Sequence, residues 1–178
     1  MLNFEREFSA ESNLVVSQAA KQSCEQQQRD VYESHRHRTF SLAFYMTGNE
    51  LEAEEILANT FIKAFQKDEQ PDGFAVDSAL VGELTDRFPL KKEEPAAVIS
   101  PGTGLSHRNV HRSDLETAVG KLPPNERLLF LLRDVEGYTS AQIARLLDIP
   151  EAQVARACFS ARIRLCQVLA EQARMAAA

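Results

Sequence analysis

Arg156, Phe159, Ser160, Arg162 and Arg164 fall within nine consecutive residues, and their spacing limits the chemistry open to them. With Val154 at the centre of a buried helical face and 100° of turn per residue, Cys158, Ala161 and Leu165 also point inward. Arg156, Phe159, Ser160 and Ile163 then point outward, with Arg162 and Arg164 on the flanks. A guanidinium at 156 can pair bidentately with a guanine edge, worth about 1–3 kcal/mol of discrimination, and a ring at 159 can meet a thymine methyl. Arg162, Arg164 and the hydroxyls of Thr139 and Ser140 stand where phosphates would be reached. This is the chemistry of recognition, in which no covalent bond changes.

Nothing else in the chain marks bond-making chemistry. There is no GxSxG, Walker loop, GxGxxG or HExxH, so neither an enzyme nor a cofactor is expected. His35 and His37 lie about 200° apart on a helix and cannot share a metal from one face. His107 and His111 are four apart but sit in a stretch without helical period, so no metal site is expected. Cys24, Cys158 and Cys166 form an odd set without a CxxC pair and are expected as free thiols.

The elements that must position the C-terminal arginines are helical throughout. Gly is scarce, at 7 of 178 residues, while helix formers abound. Residues 1–26 read as a polar, frayed or weakly helical N-terminal arm. From about Arg29 to Met46, Val31, His35, Arg38, Leu42 and Met46 fall three or four apart, with Phe40, Ala43 and Phe44 widening the face. Gly48 closes this helix and Asn49 caps the next, with Glu52 in the capping-box place. The second helix carries the stripe Ala53, Ile56, Leu57, Thr60, Phe61, Ala64 and Phe65. A third spans about Phe74 to Phe88 through Val76, Leu80, Val81 and Leu84.

Residues 89–112 hold Pro95, Pro101, Gly102 and Gly104 without a period, and read as a flexible linker. Beyond it, Asp114 to Lys121 is a short helix, and Pro123-Pro124 opens another ending at Gly137. Thr139 then caps a helix with Gln142 as its capping-box partner. Leu147-Asp148-Ile149 makes a tight turn, and Pro150 starts the last helix. The final two helices form a helix-turn-helix. The expected architecture is all-α. Two small helical domains, 27–88 and 113–178, follow the arm 1–26 and are joined by the linker 89–112.

The formal charge of −6 concentrates its acids in the middle of the chain, whereas the part after Ser113 balances them with arginines. No apolar run approaches the roughly 20 residues of a membrane span, so no membrane insertion is expected. The acidic start lacks the basic region of a signal peptide, so a cytoplasmic location is expected.

Two blocks resemble the extracytoplasmic-function (ECF) sigma factors of bacterial RNA polymerase. Val31 to Gly48 followed by Ala53-Glu-Glu-Ile-Leu-Ala-Asn-Thr-Phe-Ile-Lys-Ala-Phe65 is similar to sigma region two. Leu115 to about Leu169 is similar to region four, through Leu122-Pro-Pro-Asn-Glu-Arg127, Leu132-Arg-Asp-Val-Glu-Gly137 and Ile143-Ala144. The resemblance implies core RNA polymerase and promoter DNA as partners, with an anti-sigma factor as a further one. It implies that Glu54, Glu55 and Asn59 contact polymerase, and that Gln153, Arg156, Phe159 and Ser160 read the minus-thirty-five element. The expected function is therefore transcription initiation.

The sequence departs from the family pattern in three places. Ala58 replaces a usual Gln. The places of the family's recognition-helix pattern hold Ala152-Gln-Val-Ala-Arg156, with fewer cations than usual. The stretch Phe74 to Phe88 is acidic, with Asp77, Glu83 and Asp86 and no Trp. These departures point to the alternative of a sigma-like interaction module that binds an anti-sigma factor, or modulates polymerase without melting promoters.

Overall fold

The computed structural model of the chain describes the backbone of residues 4–68, 70–90 and 110–175, with side chains from residue 22 onward within these spans. Every regular element among them is helical: α1 Phe4–Thr47, α2 Glu50–Lys67, α3 Gly73–Arg87, α4 Arg112–Gly120, α5 Pro124–Phe130, α6 Ser140–Leu147 and α7 Glu151–Met175. The expected linker core, 91–109, lies outside the described residues, and Arg112 already belongs to α4. The arm expected over 1–26 is, from Phe4 on, the continuous start of α1. Its Glu, Gln, Ala and Lys content has high intrinsic helix propensity, which outweighs the lack of an apolar stripe.

The signals that end and start helices act where their chemistry requires. Gly48 adopts φ +70°, a conformation that Cβ disfavours, and its N–H donates to Phe44 O at 2.7 Å. The Asn49 side chain accepts from the Leu51 and Glu52 amides. Glu52 does not close the capping box expected of it, because its carboxylate turns instead to Arg87 at 3.4 Å. Asp72 caps α3 through the Ala75 amide at 2.7 Å.

The fifth helix holds a feature the sequence did not suggest. After Phe130 it continues through Leu131–Val135 as a π-type turn, in which the Glu136 amide donates to Leu131 O, five residues back. Such a turn inserts one extra residue per loop of helix and re-aims the chain beyond it. Here it delivers Glu136 and Tyr138 toward α1 and α3.

One apolar cluster spans both groups of helices. Leu42, Ala43 and Met46 of α1, Ala53 and Ile56 of α2, and Leu80, Val81 and Leu84 of α3 are continuous with Val119, Leu122, Leu128, Leu132, Ile143, Val154 and Leu165. A smaller cluster of Phe61, Ala64 and Val76 closes the far end, with Tyr32 set edge-on to Phe61 at 4.8 Å between ring centres. The α2 stripe is buried at Ala53, Ile56, Thr60, Phe61 and Ala64 and half-buried at Leu57 and Phe65. Phe44, expected to widen the α1 core face, is exposed. Cys24, Cys158 and Cys166 are free thiols, and burial raises the pKa of Cys158. No described helix is long and apolar enough to cross a membrane.

Candidate nucleic-acid interface

The helix-turn-helix is built from α6 and α7. Thr139 accepts from the Gln142 amide while the Gln142 side chain accepts from the Thr139 amide, a reciprocal capping box that fixes where α6 begins. Asp148 turns the chain at φ +50°, and Ile149 N–H donates to Ala144 O at 3.1 Å. Short polar residues tolerate this left-handed geometry better than branched ones. α7 then seats Val154, Ala157, Cys158, Ala161 and Leu165 in the core, so the face opposite them is turned outward.

The candidate residues separate into two groups. Arg156 and Phe159 are open to solvent, Phe159 at 67 % exposure, and the Arg156 side chain donates to the Ala152 carbonyl of its own helix. Gln153 is half-buried at the edge of this face and Thr139 is exposed. Ser160, Arg162 and Arg164 are instead held by acids of the same chain. Glu126, almost fully buried at the start of α5, accepts from Ser160 Oγ at 2.7 Å and from Arg164 Nε at 3.0 Å. Asp134 pairs with the Arg162 guanidinium, which raises the pKa of Arg162. Ser140 accepts from Arg133 at 2.7 Å. A cleft of about 490 Å³ opens between the α5–α6 turn and α7. Its wall carries Arg133 and Arg162 but also Asp134 and Glu151, so its charges cancel.

The acids expected to meet a partner on α2 also divide. Glu54 is exposed, with no ion pair among the described residues, and Asn59 is half-buried. Glu55 pairs with Arg87 Nη2 at 2.9 Å across to α3. Leu51 and Ile62 lie exposed along this helix, so its outer surface mixes acids with apolar groups. No group of three or more metal-binding side chains occurs among the described residues.

The Sigma-70, region 4 family matches residues 112–165, the span from α4 into α7. The chain is 25 % identical over 164 residues to the ECF RNA polymerase sigma factor SigE of Mycolicibacterium smegmatis, which covers 80 % of this chain. It spans 61 % of that relative's length. Residues 112–165 thus carry the pattern of the Sigma-70, region 4 family, and the chain as a whole is similar to an ECF sigma factor. Its fold is similar to that of the sigma factor RpoE in a co-crystal structure with the anti-sigma factor NepR from Bartonella quintana. That match has a TM-score of 0.56 at 17 % identity and covers 79 % of this chain and 97 % of that one.

Between the two groups of helices, the protein carries a polar cluster that sequence reasoning did not find. Arg38 of α1 pairs with Asp77 of α3 at 3.0 Å and with Glu136 after the π-type turn, and it donates to the Tyr138 hydroxyl. Tyr138 in turn donates to Asp77. Burial opposes the charge on Arg38, but the bond to Glu136 and the field of Asp77 outweigh it, and its pKa rises. Arg127 bridges the same two groups through carbonyls, donating to Met46 O at 2.9 Å and to Leu122 O at 3.0 Å. Burial lowers its pKa.

For Tyr138, burial and then the hydrogen bond to Asp77 push the hydroxyl from 10.0 up to about 12, against the opposing effect of Arg38. The fold thus favours the protonated phenol. That stabilisation is complete below the unfolded value near 10 and disappears as pH climbs through the folded value. Stability is expected to fall by about 1–2 kcal/mol across this window, after discounting for partial exposure. Denaturant titrations on either side of the window would measure the fall, and Tyr138→Phe should abolish it.

Proposed function

We propose that this protein is a non-enzymatic, cytoplasmic transcription-initiation factor. Its helices within 27–88 bind core RNA polymerase and its helices within 113–178 bind promoter DNA. The observation that carries the reading is the outward pair Arg156 and Phe159 on the second helix of a helix-turn-helix, inside the span that matches sigma region four. That face is open, as a reader of base edges must be. Gln153 and Thr139 border it, while Ser140, Ser160, Arg162 and Arg164 adjoin it from within the ion network. On α2, Glu54, Glu55 and Asn59 are the proposed polymerase contacts, where exposed acid can meet basic groups.

Reconstitution with core polymerase tests this directly. The full chain should co-purify with core enzyme at low salt and direct transcripts from selected promoters. Glu54→Lys together with Glu55→Lys should reduce capture at least tenfold, the range expected for charge reversal at an interface. Absence of polymerase binding at low salt would overturn the proposal.

A second reading has its own support. The arginines beside the DNA face are neutralised by Asp134 and Glu126, and α3 is acidic. These features favour a sigma-like module whose main partner is an anti-sigma factor or polymerase itself. Such a module would bind polymerase yet show no DNA sequence preference.

A further inference from the structure

The polar cluster of Arg38, Asp77, Tyr138 and Glu136 has a position that bears on how the helix-turn-helix meets DNA. Its members come from three places: Arg38 from α1, Asp77 from α3, and Glu136 and Tyr138 from the turn before α6. Tyr138 directly precedes Thr139, the residue whose hydroxyl caps α6. Ser140 begins that helix, and its far end presents Arg145, whose guanidinium stacks over Phe74 of α3 at 5.2 Å. α3 therefore engages α6 near both of its ends, through Asp77 at Tyr138 just before the helix and through Phe74 at Arg145 in its last turn.

Charge at this contact opposes a nucleic acid. Two carboxylates, Asp77 and Glu136, face one guanidinium, so the cluster is net negative beside the N-terminus of α6. A phosphate approaching Thr139 would meet those acids as well as Arg133, which donates to Ser140, so the cluster works against the attraction of that cation. Both carboxylates are nearly buried, at 13 % and 16 % exposure, so neither is free to turn away into water while Arg38 holds it.

We propose that Arg38, Asp77, Tyr138 and Glu136 form a clasp that holds the start of α6 against α1 and α3 and restrains the helix-turn-helix from full engagement with DNA. The clasp rests on contacts alone, whereas the masking of DNA also rests on the promoter-reading assignment above. The contact suits a reversible device. Its charged and hydroxyl groups can be rehydrated on opening, while the Tyr138 ring also packs against the apolar cluster. Local opening would uncover the half-buried Ser140 further and free Arg145 from Phe74, leaving the core of α7 in place.

Hydrogen exchange by mass spectrometry on the full chain, paired with duplex DNA titration, tests both parts. Tyr138→Phe removes one hydroxyl with little change of volume, and Arg38→Gln removes the central cation. Each should speed amide exchange in the first turns of α3 and α6 about tenfold, the usual size of a coupling between two sites. Protection around Val154 and Leu165 should stay unchanged. DNA affinity should rise by a similar factor. Unaltered exchange in both variants would overturn the clasp. Faster exchange with unaltered DNA affinity would overturn the masking. Faster exchange in a protein that binds no DNA in any form would sustain the clasp and remove the promoter-reading role with the masking that depends on it.

Discussion

Leu84→Ala is expected to lower the stability of the whole helical array by about 3–4 kcal/mol, the cost of emptying a fully buried leucine site. Leu84 has no exposed surface and sits in α3, within the cluster that continues through Val119, Leu128 and Val154. A cavity there weakens a cluster that spans both groups of helices. Calorimetry should show one transition, lowered by roughly 6–16 °C for a chain of this size. Two transitions, of which only the earlier moves, would mean that the helices before and after residues 91–109 have separate cores. The prediction carries weight because the sequence suggests two independent units, whereas the contacts describe a shared interior. Arg127 adds to that coupling by donating to carbonyls of both α1 and the α4–α5 connection.

Most of the helical architecture can be read from local chemistry. Asn49, Asp72 and Thr139 cap helices because a short side-chain acceptor satisfies an amide left over at a helix start, a rule that needs no tertiary knowledge. The inward set Val154, Cys158, Ala161 and Leu165 follows from 3.6-residue periodicity alone. The illegible part depends on residues far apart in sequence. Glu126 and Arg164 are 38 positions apart, and no local pattern announces that a glutamate in a first turn will hold a distant arginine. The π-type turn after Phe130 is equally silent, since Leu131 to Val135 has an ordinary helical composition. That turn places Glu136 and Tyr138 against α1 and α3, so the clasp depends on the one helical irregularity that composition could not reveal. The candidate DNA residues were therefore identifiable as a helical face, but which of them are already paired was not.

That distinction gives two neighbouring arginines opposite expected behaviour. Arg156→Ala should leave folding stability nearly unchanged, because the side chain is exposed and bonds within its own helix. Its effect should fall on sequence discrimination, with a loss of about 1–3 kcal/mol at one base position, or roughly ten- to a hundredfold in relative affinity. Arg164→Ala should do the reverse. The Glu126 side chain is 6 % exposed and would lose its cation while keeping Ser160 as a donor. An uncompensated carboxylate in that position costs about 1–3 kcal/mol of stability, a range that allows for the partial exposure of Arg164. The remaining folded Arg164→Ala protein should retain base preference, and its affinity should fall with salt along the same slope as the wild type. A phosphate-contacting arginine would instead reduce that slope by about one. Glu126→Gln in the Arg164→Ala background separates the two roles further. The neutral amide needs no cation, so stability should recover in part while DNA behaviour stays as before. If Arg164→Ala instead flattened the salt slope at unchanged stability, Arg164 would be a DNA contact that leaves Glu126 on binding. The recognition face would then extend past Phe159 along the flank of α7.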